Sequence, residues 1–581
     1  MPNLESNGVV FLIGVIPKAG QEGVVEEFFE LFKTPWERYC PGRPYDVILA
    51  TADEVPEVNP QLLLVYGTSA KSMDARIGLT ARERPHDTIV RSANSDVPIY
   101  GKSLTFADVR NGVPCVTGKA GTAGIKLDAP GSTVIRLGYD LFEQVHFLLS
   151  MGQSVENAHI PTLDIHISML REWILEAGIP LVEIPPVPHG HSFSVCLTHD
   201  IDFVGIRKHC FDRTMLGFVY RATVGAVKNF FRGRITATQV LQSWRAVVTL
   251  PFVYAGWSKD FWEPFEWYLN VEKGLPATYF LIPFKRRPGD NTPGPRASLR
   301  ATAYDVGDLP EWTDTLQKQG CEIGVHGIDA WHSVENGREE LARIRAVART
   351  SEIGIRMHWL LREEHTPYVL EQAGFDYDST VGYNETVGYR SGTAQVFLAP
   401  GARTLLELPM HIQDGALFYP QKLDLSEVEA EKRCQALVEH VEKCGGVLTV
   451  LWHDRSHAPE RFWGSFYAQL LKDLKTRNAW FATAGQATAW FRKRRHIRFD
   501  RAETHSGHCP RVFYEGEEIQ PPIRLRIYEP PYRNGVGTSD SDRNLRFKDI
   551  SWNGLSSLEL DSDLAHHSST TLPDSTLCPQ P

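Results

Sequence analysis

Short apolar runs that end abruptly on polar side chains recur along this chain. Phe193-Ser194-Val195-Cys196-Leu197 closes on Thr198-His199-Asp200-Ile201-Asp202. A run of that length, bounded by carboxylates, reads as a buried strand. Side chains alternate along a strand, so Asp200 and Asp202 leave its end on one face. In α/β proteins the carboxyl end of a central strand carries chemistry more often than packing. Ala277 to Ile282 predicts a second strand, Cys321 to His326 a third, and Val447 to Trp452 a late one. Helical patterns lie between them, at Glu339 to Arg349 and Ser426 to Lys443. This alternation predicts an α/β class with parallel strands and crossover helices.

The flanking regions read differently. Residues 1–188 predict an N-terminal α/β region, with strands at Leu62 to Gly67 and Thr133 to Leu137 and an amphipathic helix at Asp140 to Leu149. No chemical constellation stands out in it. Prolines 180, 185, 186 and 188 mark a linker. A catalytic region spans 189–495. Within it, Val204 to Trp257 is long for a strand-to-helix connection and rich in aromatic and basic residues. It predicts a helical insertion beside a cleft or an outer helical layer. Arg511 to Tyr514 and Arg524 to Tyr528 predict a small β appendage over 496–534. Residues 535–581, dominated by Ser, Asp, Thr and Pro, predict a disordered tail in which His566-His567 could bind metal adventitiously.

Composition narrows the function classes. With 581 residues the chain is too long for one core. A net charge of −10 argues against nucleic acid as the main partner, since phosphate binding wants a basic surface. The short basic run Arg492-Lys493-Arg494-Arg495 reads as the end of a helix, where cations suit the dipole. Nine cysteines without a C-x-x-C pair indicate neither a zinc finger nor a disulfide framework. No segment reaches the apolar length of a transmembrane helix. Met1 to Ser6 lacks a basic signal-peptide region, and Val9 to Ile16 reads as a first strand. A cytoplasmic location is expected.

The candidate chemistry lies in two clusters. The second, Cys321-Glu322-Ile323-Gly324-Val325-His326-Gly327-Ile328-Asp329-Ala330-Trp331-His332, again delivers polar groups from a strand end. Asp202 with His326 and His332 would offer one oxygen and two nitrogens, a set suited to zinc with positions left open.

At these residues the chain resembles the polysaccharide deacetylase family (NodB homology, carbohydrate esterase family 4). Asp200-Ile201-Asp202 is similar to the family's first motif, a catalytic Asp followed closely by a metal-binding Asp. The second motif normally spaces its histidines H-x-x-x-H; here Ala330 stands four after His326, and the next histidine is His332. Six residues are about 600° of helix, so His332 must reach in from a loop, or Asp329 is the third ligand. Gly354-Ile355-Arg356-Met357-His358-Trp359 looks like the segment whose arginine pairs with the catalytic carboxylate. Ala373 to Thr380 looks like the family's G-F-x-Y-D-S stretch. Gly446 to Asp454 is similar to the final L-x-H motif, with His453 as general acid and His411 as a competitor.

The resemblance covers residues 190–495. It implies a distorted (β/α)7 barrel and a metal-dependent hydrolase of non-peptide carbon–nitrogen bonds. The implied reaction is N-deacetylation of an amino-sugar polymer or glycoconjugate, with a divalent metal, Zn2+, and a carbohydrate partner. Asp200, Arg356 and His453 are then catalytic, and Asp202, His326 and His332 hold the metal. Two other readings stay open: a D-x-D glycosyltransferase, and a metal-poor saccharide-binding pseudoenzyme marked by the altered histidine spacing.

Overall fold

The computed structural model describes residues 11–107, 112–290, 301–504, 507–530 and 545–560. The expectations for Met1 to Ser6 and for His566-His567 fall outside them. At the centre is a curled sheet of ten strands. From one end of the path to the other run Phe397–Leu398, Leu406–Glu407, Tyr377–Asp378, Ile355–Met357, Glu322–Gly327, Ala277–Leu281, Phe193–Ile201, Val447–Leu451 and Ile412–Gln413. Ala479–Phe481 pairs with the start of Phe193–Ile201. Every pairing is parallel except that of Phe397–Leu398 with Leu406–Glu407. The central strand is buried at all nine positions, as a strand covered on both faces must be.

The two ends of the sheet belong to one stretch of chain. Leu406–Glu407 pairs at one edge and Ile412–Gln413 at the other. Between them, Leu408 N donates to Asp378 O at 2.8 Å and His411 N donates to Thr449 O at 3.1 Å. Pro409 sits in this seam and has no N–H to give. The fold is therefore mixed α/β with a sheet curled on itself, and its seam is irregular. Helices cover it: the one expected at Ser426 to Lys443 forms in place, and the one expected at Glu339 to Arg349 forms earlier, as Val334–Arg345. Glu427–Cys444 starts from a Ser426–Glu429 capping box and buries Cys434, Leu437, Val438 and Val441.

The N-terminal unit forms the predicted strands Leu62–Tyr66 and Ser132–Leu137 and the helix Leu141–Ser150. The Asp140 side chain caps that helix by accepting from Phe142 N and Glu143 N. These strands join Trp36–Arg38, Ile13–Ile16 and Val47–Ala50 in a parallel half-sheet, which continues into antiparallel strands.

Three readings of the flanks need correction. The proline-rich 180–188 stretch is not a bare linker: Leu181–Glu183 is a buried strand paired antiparallel with Ile523–Glu529. That strand pairs in turn with Arg546–Trp552, so residues 545–560 of the expected tail are structured; Trp552 is buried and gives them an anchor. The basic run does more than end the helix Ala484–His496. Arg494 is buried and donates to the carbonyls of Glu30, Leu31 and Ile184, while Arg495 pairs with Glu27 at 2.7 Å. These contacts tie the N-terminal unit to the last helix of the central one.

Candidate metal and acid–base site

The strand Phe193–Ile201 brings Asp200 and Asp202 to its carboxyl end. Glu322–Gly327 does the same for His326, and Ile355–Met357 delivers Arg356 and, one residue on, His358. His326 and Arg356 are cross-strand partners in the parallel register. Asp200, Asp202, His326, His358, His453 and Asp454 line one pocket of about 180 Å³.

Asp202, His326 and His358 hold their ligand atoms within 4.8 Å of one another. Asp202 Oδ1 lies 3.4 Å from His326 Nε2 and 3.3 Å from His358 Nε2. His326 Nδ1 lies 3.0 Å from the Arg356 carbonyl oxygen. A carbonyl only accepts, so Nδ1 carries a proton and Nε2 is the nitrogen that faces Asp202. Asp202 Oδ1 is buried and receives no hydrogen bond. Burial alone would raise the Asp202 pKa, but the rings of His358, His326 and His453 hold it well below the carboxylate range. Two imidazole nitrogens converging on one carboxylate oxygen form a geometry that a cation can complete. One carboxylate and two imidazoles form a set that suits zinc.

Asp200 stands beside this group without joining it. Arg356 Nη1 donates to Asp200 Oδ1 at 3.0 Å and to Thr198 Oγ1 at 2.8 Å. Its Nε and Nη2 donate to Ser379 O and Oγ, and its guanidinium lies 4.6 Å from the centre of the Phe280 ring. The stretch Ala373 to Thr380 thus supplies a clamp for Arg356 through Ser379. Fully buried, the arginine has no freedom to leave the carboxylate.

On the opposite wall, His453 Nδ1 lies 2.5 Å from Asp414 Oδ1, and His453 N donates to Asp414 Oδ2 at 2.9 Å. Ser456 Oγ also donates to Asp414. Burial pushes the imidazole pKa down, but Asp414 overrides that and raises it to about 10. His453 is then a cation facing the pocket. His411, the competitor, is buried elsewhere: Thr449 N donates to its Nδ1, and burial lowers its pKa to about 4.

His332 is not brought to Asp202 and His326. After the strand ends at Gly327, Ile328 N and Asp329 N donate to the buried Glu340 carboxylate at 2.9 and 2.7 Å, pinning the loop to the helix Val334–Arg345. His332 Nε2 then lies 3.1 Å from Asp290 and 3.9 Å from Asp329, in a separate acidic group. Neither His332 nor Asp329 joins the cluster; its third member is His358.

Sequence reading assigned no role to His358, Asp414 or Asp454, which the structure places in or directly behind this pocket. His358 follows Arg356 by two, a spacing that puts both on one face of a strand. Trp359 and Leu360, at φ 63° and 54°, turn the chain sharply just past it. Asp414 carries no sequence signal beyond following His411 by three. Asp454 follows His453; its Oδ1 accepts from Asp202 N at 3.3 Å, and burial raises its pKa to about 7.

No family model matches the chain, and no curated protein matches it. Among solved structures it is similar to a Mycobacterium smegmatis protein described as a polysaccharide deacetylase, at 19% identity over 53% of this chain and 95% of that one, with a TM-score of 0.32. It is also similar to the carbohydrate deacetylase Agd3, at 9% identity over 95% and 100% of the two chains and a TM-score of 0.37. A third likeness is to the Puue allantoinase, at 14% identity over 53% and 93%, with a TM-score of 0.30. Likenesses this distant carry no argument, and the chemistry stands on the side chains above.

Proposed function

We propose that the protein is a polysaccharide-deacetylase-like hydrolase that removes an acyl group, most simply N-acetyl, from an amino sugar. The observation that supports this best is an Asp–His–His cluster, its imidazoles buried, flanked on one side by an Arg-held carboxylate and on the other by an Asp-held imidazolium. Amide hydrolysis needs a base for water, a charge stabiliser for the oxyanion and an acid for the leaving amine. One pocket holds a candidate for each. The curled sheet is compatible with an irregular version of the (β/α)7 barrel that the sequence resemblance implies.

In this reading Asp202, His326 and His358 hold a divalent ion, zinc by the chemistry of the donor set. Such an ion supplies Lewis acidity, acidifying water and polarising a carbonyl. Asp200, oriented by Arg356, accepts a proton from the attacking water. His453, protonated through Asp414, gives one to the departing nitrogen. The products are a free carboxylate and an amine. A D-x-D glycosyltransferase has no use for an imidazolium opposite its carboxylates, so the hydrolase reading is favoured. The pseudoenzyme reading rested on the altered histidine spacing, and His358 fills that gap.

The test is release of acetate from N-acetylated oligosaccharides by zinc-loaded protein and by Asp200→Asn. Turnover by the first and not the second is expected. No acetate release from any N-acetyl saccharide by metal-loaded, folded protein overturns the reading.

A further inference from the structure

The segment that follows Asp202 carries an unusual surface. Between Val204 and Lys259 there are nine Lys and Arg residues and one carboxylate, Asp212, in a chain whose net charge is −10. The segment forms the helices Arg213–Tyr220, Ala226–Phe231 and Ala237–Tyr254, the first two joined by a π turn. It is held at its base by Asp260, whose carboxylate accepts from the backbone N–H groups of Ile206, Arg207 and Trp262. Of the twenty large apolar side chains left exposed among the described residues, eleven lie within 211–257.

The exposed apolar residues follow a helical period. In Ala237–Tyr254, Leu241, Trp244, Val248 and Phe252 are all exposed, Val248 at 72%. At about 100° per residue they share an arc of roughly 80°. The residues this helix buries lie on the opposite side, and Ala246, Leu250 and Val253 among them join Phe218 and Trp262 in one apolar cluster. One face therefore satisfies the core, and a second apolar face has no partner. Phe231 and Trp257, each 81% exposed, extend it at the helix ends. Arg245 flanks the stripe, and Arg213, Lys228 and Arg232 are exposed elsewhere in the segment; none has a carboxylate within ion-pair distance among the described residues, and Lys228 donates to Tyr220 Oη at 3.3 Å.

Apolar and aromatic side chains on one face with exposed, carboxylate-free cations in the same segment match an interfacial helix on an anionic lipid surface. Contiguous apolar patches of this kind are rare on monomers without a partner. No helix of the described residues is long and apolar enough to cross a membrane, so the contact would lie in the interface plane.

We propose that the helical segment 204–259 seats the protein on an anionic phospholipid bilayer through the Leu241–Trp244–Val248–Phe252 stripe and the segment's exposed cations. The buried side of the segment reaches the pocket wall: Arg455, which lines the pocket, stacks its guanidinium 3.8 Å from the Phe203 ring centre and 4.8 Å from that of Trp262. This proposal does not depend on the reaction assigned above.

The test is flotation of the full-length protein with vesicles of phosphatidylcholine alone and of phosphatidylcholine mixed with phosphatidylglycerol. Binding to the mixed vesicles, weakened by salt, is expected. Leu241→Glu/Val248→Glu should lower partitioning by about tenfold or more, since two apolar side chains no longer leave water. Lys228→Gln/Arg245→Gln should lower it by about fivefold per cation. Thermal melts show whether each variant is folded, and either variant suffices alone. Equal binding to neutral and mixed vesicles, or no binding by the wild-type protein, overturns the proposal. So does a wild-type dimer that Leu241→Glu/Val248→Glu converts to a monomer without any vesicle binding, because the stripe then belongs to a second copy of the chain.

Discussion

His453 and Asp414 are joined twice, imidazole to carboxylate at 2.5 Å and backbone N–H to the other oxygen at 2.9 Å. They come from different strand ends, Val447–Leu451 and Ile412–Gln413, which pair in parallel at the edge of the curled sheet. The pairing that completes the sheet is thus also what sets the protonation state of the candidate acid. The arginine clamp on Asp200 is built the same way, from the neighbouring strands Ile355–Met357 and Tyr377–Asp378.

Asp414→Asn should remove the largest charge that raises His453 and leave burial, which lowers it, opposed only by the more weakly acting Asp202 and Asp200. The imidazole pKa should then fall, and with it the fraction able to donate at physiological pH. Loss of a general acid costs about 10²–10⁴-fold in rate. Turnover of an N-acetyl substrate should fall within that range and that of an activated ester much less. Equal losses on both substrates would count against His453 as the acid.

His358→Ala should empty the metal site as completely as Asp202→Ala or His326→Ala, because each removes one of three ligand atoms. His332→Ala should keep its metal, since His332 faces Asp290. Elemental mass spectrometry on the purified variants decides between them. A zinc-replete His358→Ala would return the third position to another residue.

Arg356→Ala should destabilise the fold and not merely slow the reaction. It leaves Asp200, which is 3% exposed, as an unpaired buried carboxylate. Breaking a buried ion pair from one side costs about 3–5 kcal/mol. Asp200→Asn keeps a hydrogen-bond acceptor for a guanidinium that also holds Thr198 and Ser379, so it should be destabilised less than Arg356→Ala while losing turnover. Denaturant unfolding of the two variants measures the contrast.

The contact between His440 and Asp164 should make stability depend on pH. Burial lowers the His440 pKa, but the Asp164 carboxylate at 3.2 Å and Cys444 raise it to about 10. A raised folded-state pKa contributes stability that is complete below the unfolded value near 6.5 and is lost as pH rises through 10. His440→Gln should therefore be less stable than wild type by about 1.5–3 kcal/mol at pH 6, the worth of a hydrogen bond to a charged group. The gap should close above pH 10. A gap that persists there would mean packing, not charge, joins these helices.

Local patterning determined much of the central unit. Alternation and strand length placed the ends that carry Asp200, Asp202, His326, Arg356 and His453, because a buried strand must be apolar along its length and can be polar only where it stops. The capped helix Glu427–Cys444 was legible for the same kind of reason, a 3.6-residue period behind a Ser-x-x-Glu box. What the sequence could not decide is which strand ends meet. Asp414 reaches His453 only through the pairing of Ile412–Gln413 with Val447–Leu451 across an irregular seam. His358 replaces His332 in the cluster because Glu340 captures the loop after Gly327 and two left-handed residues turn the chain past His358. The strand Leu181–Glu183 and the ordered Arg546–Trp552 were hidden by proline and polar neighbours; only pairing with Ile523–Glu529 makes them strands. Periodicity is a property of one segment, whereas a ligand set and a sheet edge are properties of several segments at once, fixed when the backbone hydrogen bonds of all of them are satisfied together.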